Sequence, residues 1–186
     1  DITTGEFFAK KYIKSDFLSN LFDDLIKINP AEIIGNAEAE RILNASPIFM
    51  QRILPKVRSV ADSEFNIISA TETLNSQFGV LNLKPFGLEK DDICISAAGA
   101  LIGYFKTTQK MALLNINNII IKGDKDFMML DYTAVRNLEL IRTLRDNKKY
   151  GSLLWVLDKT TTNMGARRLQ SWILSPLHNI SAINYR

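Results

Sequence analysis

Cysteine and histidine are almost missing from this chain: Cys94 is the one thiol and His178 the one imidazole in 186 residues. A lone cysteine excludes an internal disulfide and fits a reducing compartment, so a cytoplasmic location is expected. Within a stretch of small residues, Cys94 reads as a small buried side chain. One cysteine and one histidine cannot assemble a zinc site of the Cys/His type. His178 follows Pro176 in a loop and is expected at the surface; no nucleophile-elbow glycines accompany it, as a Ser-His-Asp hydrolase of that kind would need. No Gly-Lys dipeptide occurs, which excludes a phosphate-binding P-loop from these residues. No apolar run approaches the roughly 20 residues that cross a bilayer, so no membrane partner is expected. The opening residues lack the basic, apolar and small-residue order of a signal peptide. Asp1 is not a natural start, so an upstream part of the protein is expected.

What is present is ordinary for a globular protein: 46 % hydrophobic and 23 % charged residues. The length allows one large domain, or one domain and part of another. The net charge of +3 conceals an asymmetry. Residues 1–124 hold 13 Lys and Arg against 15 Asp and Glu, whereas residues 125–186 hold 10 against 5. Such a split points to two units with different surroundings. The basic half fits proximity to nucleic acid, or simply a solvated helix face.

The texture also changes along the chain. The cluster Thr3-Thr4-Gly5 reads as a turn, Glu6 to Ile13 as a strand, and Asp1-Ile2 as the end of its hairpin partner. Ser15 or Asp16 is a candidate cap for a helix to Asn29, with Phe17, Leu21, Leu25 and Ile28 on one stripe and Pro30 as its stop. "AEIIG" reads as a short buried strand, residues 37–44 as a short helix, and residues 48–65 as ambiguous. Ile67 to Phe78 reads as a helix, with Ile67, Leu74 and Phe78 inward and Gly79 as a left-handed stop. Asp91 to Lys110 reads as a longer helix. Its Ala97, Ala98, Gly99, Ala100 and Gly103 would let another element press close. Strands alternating with helices predict an α/β layer with helices packed on a sheet. Beyond two short β-like runs, 119–121 and 127–130, the pattern turns to helices. Asp131 or Thr133 caps one with Val135, Leu138, Ile141 and Leu144 at helical spacing. A polar turn, "DNKKYG", follows. Ser152 starts a short helix through Leu157. Thr161 or Thr162 caps the last, in which Ala166, Leu169, Trp172 and Ile173 share a face and Pro176 is the stop. These changes place a domain boundary near residue 120.

Paired carboxylates at Asp23-Asp24 and Asp91-Asp92 are adjacent in sequence and do not point the same way on a helix, so cap or solvent roles are expected rather than a shared metal. A hairpin opening on an acidic residue, followed by helices on a sheet, is also the layout of ribonuclease H-like nucleases, which gather carboxylates around two metal ions. On that alternative, a stand-alone metal-dependent nuclease, Asp1, Glu6, Glu32 and Glu72 are the nominees, although nothing in the spacing brings them together.

The densest signal is "LDKTTTNMGARRLQSWILSPL", residues 157–177. Leu157, Asp158, Thr160, Thr162, Met164, Gly165, Arg167, Leu169, Trp172 and Pro176 fall on the pattern Leu-Asp-x-Thr-x-Thr-x-Met-Gly-x-Arg-x-Leu-x-x-Trp-x-x-x-Pro. In this the stretch resembles the bacterial MutS mismatch-repair family. "DITTGEF", "LNSQFG", "AAGALIGYFKTTQ" and "FMMLDYTAVRNLEL" resemble earlier segments of that family in the right order, so the resemblance spans nearly the whole chain. Arg168 departs from it, standing where an apolar residue is expected. Read without the resemblance, the stretch is a packing and transmission element: threonine hydroxyls to cap a helix, Gly165 to admit another backbone, Trp172 as an anchor. Truncating such an anchor to Ala costs about 3 to 5 kcal/mol where it is buried.

The resemblance implies two parts. Residues 1–120 would be the connector domain, entered inside its sheet: an α/β ribonuclease H-like fold with a mixed sheet and flanking helices, here without an assembled metal site. Residues 121–186 would be the all-α first part of the core, or lever, domain, ending before the DNA clamp. Family members read mismatches with a Phe-x-Glu wedge and hydrolyse ATP with Mg in a P-loop domain; neither motif is in this sequence. The implied role is therefore non-catalytic. These residues would link mismatch recognition to the ATPase, with Asp158, Thr160, Thr162, Met164, Gly165, Arg167, Trp172 and Pro176 as structural transmission residues. The parent is expected to be a homodimer that holds mismatched double-stranded DNA through other domains and ATP outside these residues. MutL is the expected partner of the connector. The polar face of the helix at 67–78, with Ser69, Glu72, Thr73 and Ser76 outward, is its candidate docking surface, and Glu72, Thr73 and Ser76 are its central residues.

Overall fold

Helix pairs come close only where both partners give up side-chain bulk, and one such contact organises the first unit. The computed structural model describes residues 1–2, 4–12, 17–47, 56–109, 113–123, 127–128 and 130–185. The expectations for Thr3, Ile13, Ser15, Asp16, Lys110 and Met129, and for residues 48–55, lie outside them. Helix α3 (Ile67–Phe78) starts where the Asn66 side chain accepts from the amides of Ile68 and Ser69, at 2.9 and 3.3 Å, and ends on Gly79 at φ 66°. Helix α4 (Ile93–Gln109) begins where Asp92 Oδ1 accepts from the Cys94 amide at 2.9 Å. Gly99 of α4 lies against Ala70 of α3, and a Cβ there would collide with the Cβ and Cα of Ala70. The run of small residues thus serves close helix-helix approach. Around this contact Ala70, Leu74, Leu83, Leu88, Ile95, Ala98 and Ile102 are buried with Phe7, Leu113, Ile116 and Ile119. Gln77 donates to the carbonyls of Leu113 and Ile116, at 2.9 and 3.1 Å, which ties that loop to α3.

Two short parallel ladders accompany these helices. Strand β1 (Phe8–Ala9) pairs with β4 (Ile120–Ile121), in the register Phe8 to Ile120. Strand β2 (Glu32–Gly35) pairs with β3 (Lys56–Ser59), Ile33 opposite Val57. Parallel partners need a crossover, and helix α2 (Ala37–Asn44), capped by Asn36, lies in the one between β2 and β3. Helices with small sheets make this a mixed α/β arrangement. The strand expected over Glu6 to Ile13 is confined to Phe8–Ala9 among the described residues, and Asp1-Ile2 forms no strand. Turn chemistry prevails there: Gly5 sits at φ 72°, and a Cβ on it would come within 2.3 Å of the Asn115 carbonyl oxygen, so any side chain would clash. The Asp1 main-chain nitrogen donates to Glu6 O at 2.7 Å, closing the turn.

Compactness divides the chain at Lys122 and Gly123, with one exception. Residues 18–28, most of helix α1 (Phe17–Ile28), group with residues 123–186. Asp23 Oδ1 accepts from the Tyr132 amide at 3.2 Å, and Lys27 pairs with Asp24 at 3.6 Å. In this second unit, helix α5 (Tyr132–Asn137) is capped by Asp131. The helix expected to carry Leu138, Ile141 and Leu144 stops short of them. Glu139 turns to φ 48°, and its side chain accepts from the Leu144 amide at 2.6 Å, so the segment folds back as a turn and leaves Leu138 and Leu144 exposed. Helices α6 (Leu153–Leu157), α7 (Asn163–Leu174) and α8 (Ile180–Tyr185) follow. Val135, Leu140 and Leu174 are buried together with Ile141, Leu130 and Ile173 packed against them.

Candidate functional site

The α6–α7 elbow is built from short polar side chains that satisfy helix ends. Ser152 is fully buried. Its hydroxyl accepts from the Trp155 amide at 3.2 Å and donates to the Lys149 carbonyl at 2.7 Å. The next two amides of α6, those of Leu153 and Leu154, donate to the carbonyls of Glu139 and Leu140. At the other end of α6 sits Asp158. Its Oδ2 takes the Lys149 ammonium at 2.5 Å, and its Oδ1 takes both the Thr160 amide at 3.1 Å and the Thr160 hydroxyl at 2.6 Å. The bond from Lys149, reinforced by those from Thr160, holds the Asp158 carboxyl down at about 2. Thr162 then caps α7 by accepting from the Gly165 amide at 3.1 Å.

The signature residues divide by what they touch. Asp158, Thr160, Thr162 and Gly165 come together in this elbow. A Cβ at Gly165 would lie 3.2 Å from the side chains of Thr160 and Thr162, so the glycine lets these threonines close on the first turn of α7. Pro176 follows α7, and its carbonyl accepts from the Met128 amide at 2.8 Å. Met164 and Arg167 are exposed, and Trp172 keeps 37 % of its surface in solvent. Trp172 is therefore not the fully buried anchor that would justify the 3 to 5 kcal/mol figure. Arg168 lies 5.6 Å from the Trp172 ring centre and covers its face, which gives the departure from the family pattern a physical role. Lys149 was not singled out by sequence reading, because its partner lies nine residues away across an intervening helix. The polar run before α6 was the only signal.

On α3 of the first unit, Ser69, Glu72 and Ser76 are exposed and Thr73 is half-buried, opposite buried Ala70 and Leu74. The carboxylates nominated for metal chemistry are employed separately. Glu6 faces Lys122 at 3.9 Å. Glu32 accepts from the Tyr104 hydroxyl at 2.9 Å and lies 3.7 Å from Arg58. Glu72 is on the outer face of α3, and Asp1 Oδ1 faces the Thr4 amide. Among the described residues no group of three or more His, Cys, Asp or Glu is placed to hold a metal. Asp92 caps α4 and pairs with Lys11 at 2.5 Å. Although burial works the other way, Lys11 and the Cys94 amide bring the Asp92 carboxyl below its usual range. Burial, then the Asp92 charge, pushes the Cys94 thiol up to about 11, so it stays protonated and inert. No helix among the described residues is long and apolar enough to cross a membrane.

Known proteins match nearly the whole length of the chain. The family model for MutS domain II matches residues 1–118, and that for MutS domain III matches residues 133–186. The chain belongs to the MutS family. It is 40 % identical to the DNA mismatch repair protein MutS of Alkaliphilus oremlandii, 37 % to that of Ruminiclostridium cellulolyticum and 35 % to that of Acetivibrio thermocellus. Each alignment covers 100 % of this chain and 21 % of the relative, so the chain spans about a fifth of the length of the curated MutS proteins it matches.

Proposed function

We propose that these residues are the connector and the start of the lever of a DNA mismatch-repair protein, and that they transmit between mismatch reading and ATP hydrolysis without performing either. The observation that carries this reading is the elbow at Asp158. The family signature is spent there on capping and joining helices, not on a reactive group. Successive matches to domains II and III, in order, support placing the boundary near residue 120. Parallel strand pairs with helical crossovers support a ribonuclease H-like topology for the connector. The parent would be a homodimer in the cytoplasm that binds ATP and Mg in another domain. The residues present here do not fit that group, for they contain no Gly-Lys phosphate loop. MutL would dock on the outer face of α3 around Glu72, Thr73 and Ser76.

Binding measurements test the division of labour. This chain alone should bind a mismatched duplex no better than a matched one, with whatever weak affinity it has falling steeply with salt, as a Lys- and Arg-driven phosphate contact would. A clear preference for the mismatch at physiological salt would place mismatch reading inside these residues and overturn the proposal.

A further inference from the structure

Helix α6 is five residues long, too short to persist alone, and one residue outside the family signature holds both its ends. The Lys149 carbonyl accepts from the amide of Ser152 at 3.1 Å and from its hydroxyl at 2.7 Å, fixing the residue that caps the N-terminus of α6. The Lys149 ammonium reaches past the helix to Asp158 at 2.5 Å, fixing its C-terminus. Asp158 passes the constraint on through the two bonds from Thr160, and Thr160 packs on Gly165 in the first turn of α7. The turn that presents Lys149 is itself braced. Thr143 and Lys148 exchange main-chain and hydroxyl bonds, and Arg142 donates to the Asn147 carbonyl at 3.0 Å.

We infer that Lys149 is a positioning residue that locks the 143–151 turn, α6 and the start of α7 into one rigid body by clasping both ends of α6. The carboxylate side of the clasp is well shielded while the lysine is half in solvent, with side-chain exposures of 11 % and 49 %. A cation of the right reach is what the site requires, and it arrives from a braced turn rather than from a free loop. This goes beyond the transmission role proposed above, since nothing in the family signature includes Lys149. It also rests on that role for its consequence: a lever transmits only if its joints are stiff.

The test is amide hydrogen exchange on the full-length protein that contains these residues, with lysine substituted in ways that separate charge from bulk. In Lys149→Met, the amides of α6 and of the first turn of α7, Gly165 and Ala166 above all, should exchange together about three- to fivefold faster, the scale of losing one partly exposed ion pair. Exchange in α3 should not change. Lys149→Arg should restore protection, because a guanidinium of similar reach meets the same carboxylate. Asp158→Asn keeps an acceptor for Thr160 and should loosen the elbow as Lys149→Met does, and the double variant should be no looser than either single one. Unchanged exchange in Lys149→Met, acceleration confined to the 143–151 turn, or failure of Lys149→Arg to restore protection would each overturn the inference. The transmission role is read separately, as mismatch-dependent ATP turnover of the unsubstituted protein. Its absence would remove that role and leave the exchange result standing on its own.

Discussion

Among the described residues, twelve buried side chains form one apolar cluster in the unit that holds α3 and α4, whereas three form the cluster in the unit that holds α5 and α7. The first unit is organised by burial. Leu74, Ile95 and Ile102 are nearly inaccessible, and Gly99 on Ala70 sets how closely the helices approach. In the second unit Asp131, Ser152, Asp158 and Thr162 each accept a main-chain amide, as Asn36, Asn66 and Asp92 do in the first, but here the caps lie beside a smaller apolar cluster. Burial is non-directional and tolerates small shifts, whereas a cap holds only in one geometry. With fewer apolar side chains gathered among the described residues, the second unit depends more on the geometry of its caps.

The largest effect expected is on the first unit. Leu74→Ala removes a side chain with no solvent exposure from the centre of its cluster and should destabilise that unit by about 2 to 5 kcal/mol. Unfolding followed by region-resolved hydrogen exchange should show residues 29–122 opening earlier while the elbow keeps its protection. Equal loss in both regions would mean that the two are one cooperative unit, and the comparison would break. Ser152→Ala is the converse experiment. It takes from the Trp155 amide its acceptor at a buried helix start, while the Lys149 carbonyl keeps the bond from the main-chain amide at position 152, and should cost about 1 to 2 kcal/mol, felt in α6 and α7 and not in α3.

How far the sequence foretold this difference depends on the range of the forces involved. Helix α3, its Asn66 cap aside, was legible to the residue, because Gly79, the Leu74 stripe and the absence of proline all act within one or two turns. Ser152 was legible as a helix start for the same reason, and Thr162 as one of two candidates beside Thr161. Glu139 was not. The spacing of Val135, Leu138, Ile141 and Leu144 around it reads as helix, and what ends α5 is a left-handed turn fixed by a side chain bonding the main chain five residues on. Lys149 escaped for want of a local pattern, and Trp172 was overrated because spacing gives a face but not what covers it. The family was legible from the dense motif at 157–177 together with four earlier segments in the right order, and the domain II and domain III models match accordingly.

Acid sharpens the same contrast by a smaller amount. The Asp158 carboxyl is held at about 2, below its ordinary 3.8, so its contribution to stability is fully present above that ordinary value and is lost as pH falls through about 2. Asp92 is displaced in the same direction in the first unit. Lowering the pH from 5 towards 2 should weaken both units in the unsubstituted chain. In Asp158→Asn the elbow should start weaker at neutral pH and lose less on acidification, while the first unit behaves as before. Acid titration followed by exchange in α7 checks this, and an unaltered acid response of the elbow in the variant would show that Asp158 is not its acid-sensitive group.

The smallest structural effect should come from the outer face of α3, and there a functional effect is expected instead. Glu72 is exposed, one turn from Ser69 and Ser76, and its neighbours on the other side of the helix, Ala70 and Leu74, do the packing. A polar, lightly charged face of this sort suits a contact that forms and dissolves with the state of the protein, because it leaves no apolar patch exposed when the partner is away. Reversing an exposed charge costs little, within about 0.5 kcal/mol, so Glu72→Lys should leave folding and exchange in α3 unchanged. If MutL docks here, the same substitution in the full-length protein should weaken MutL recruitment while mismatch binding is unaltered. Thr73, half-buried, is the less forgiving neighbour, so Thr73→Lys is informative only beside a stability measurement, and Ser76→Lys is the cleaner companion. Crosslinking to MutL that persists undiminished in Glu72→Lys with Ser76→Lys, on a protein shown to be folded, would remove this face from consideration. It would leave α3 with the packing role that Ala70 and Leu74 already give it.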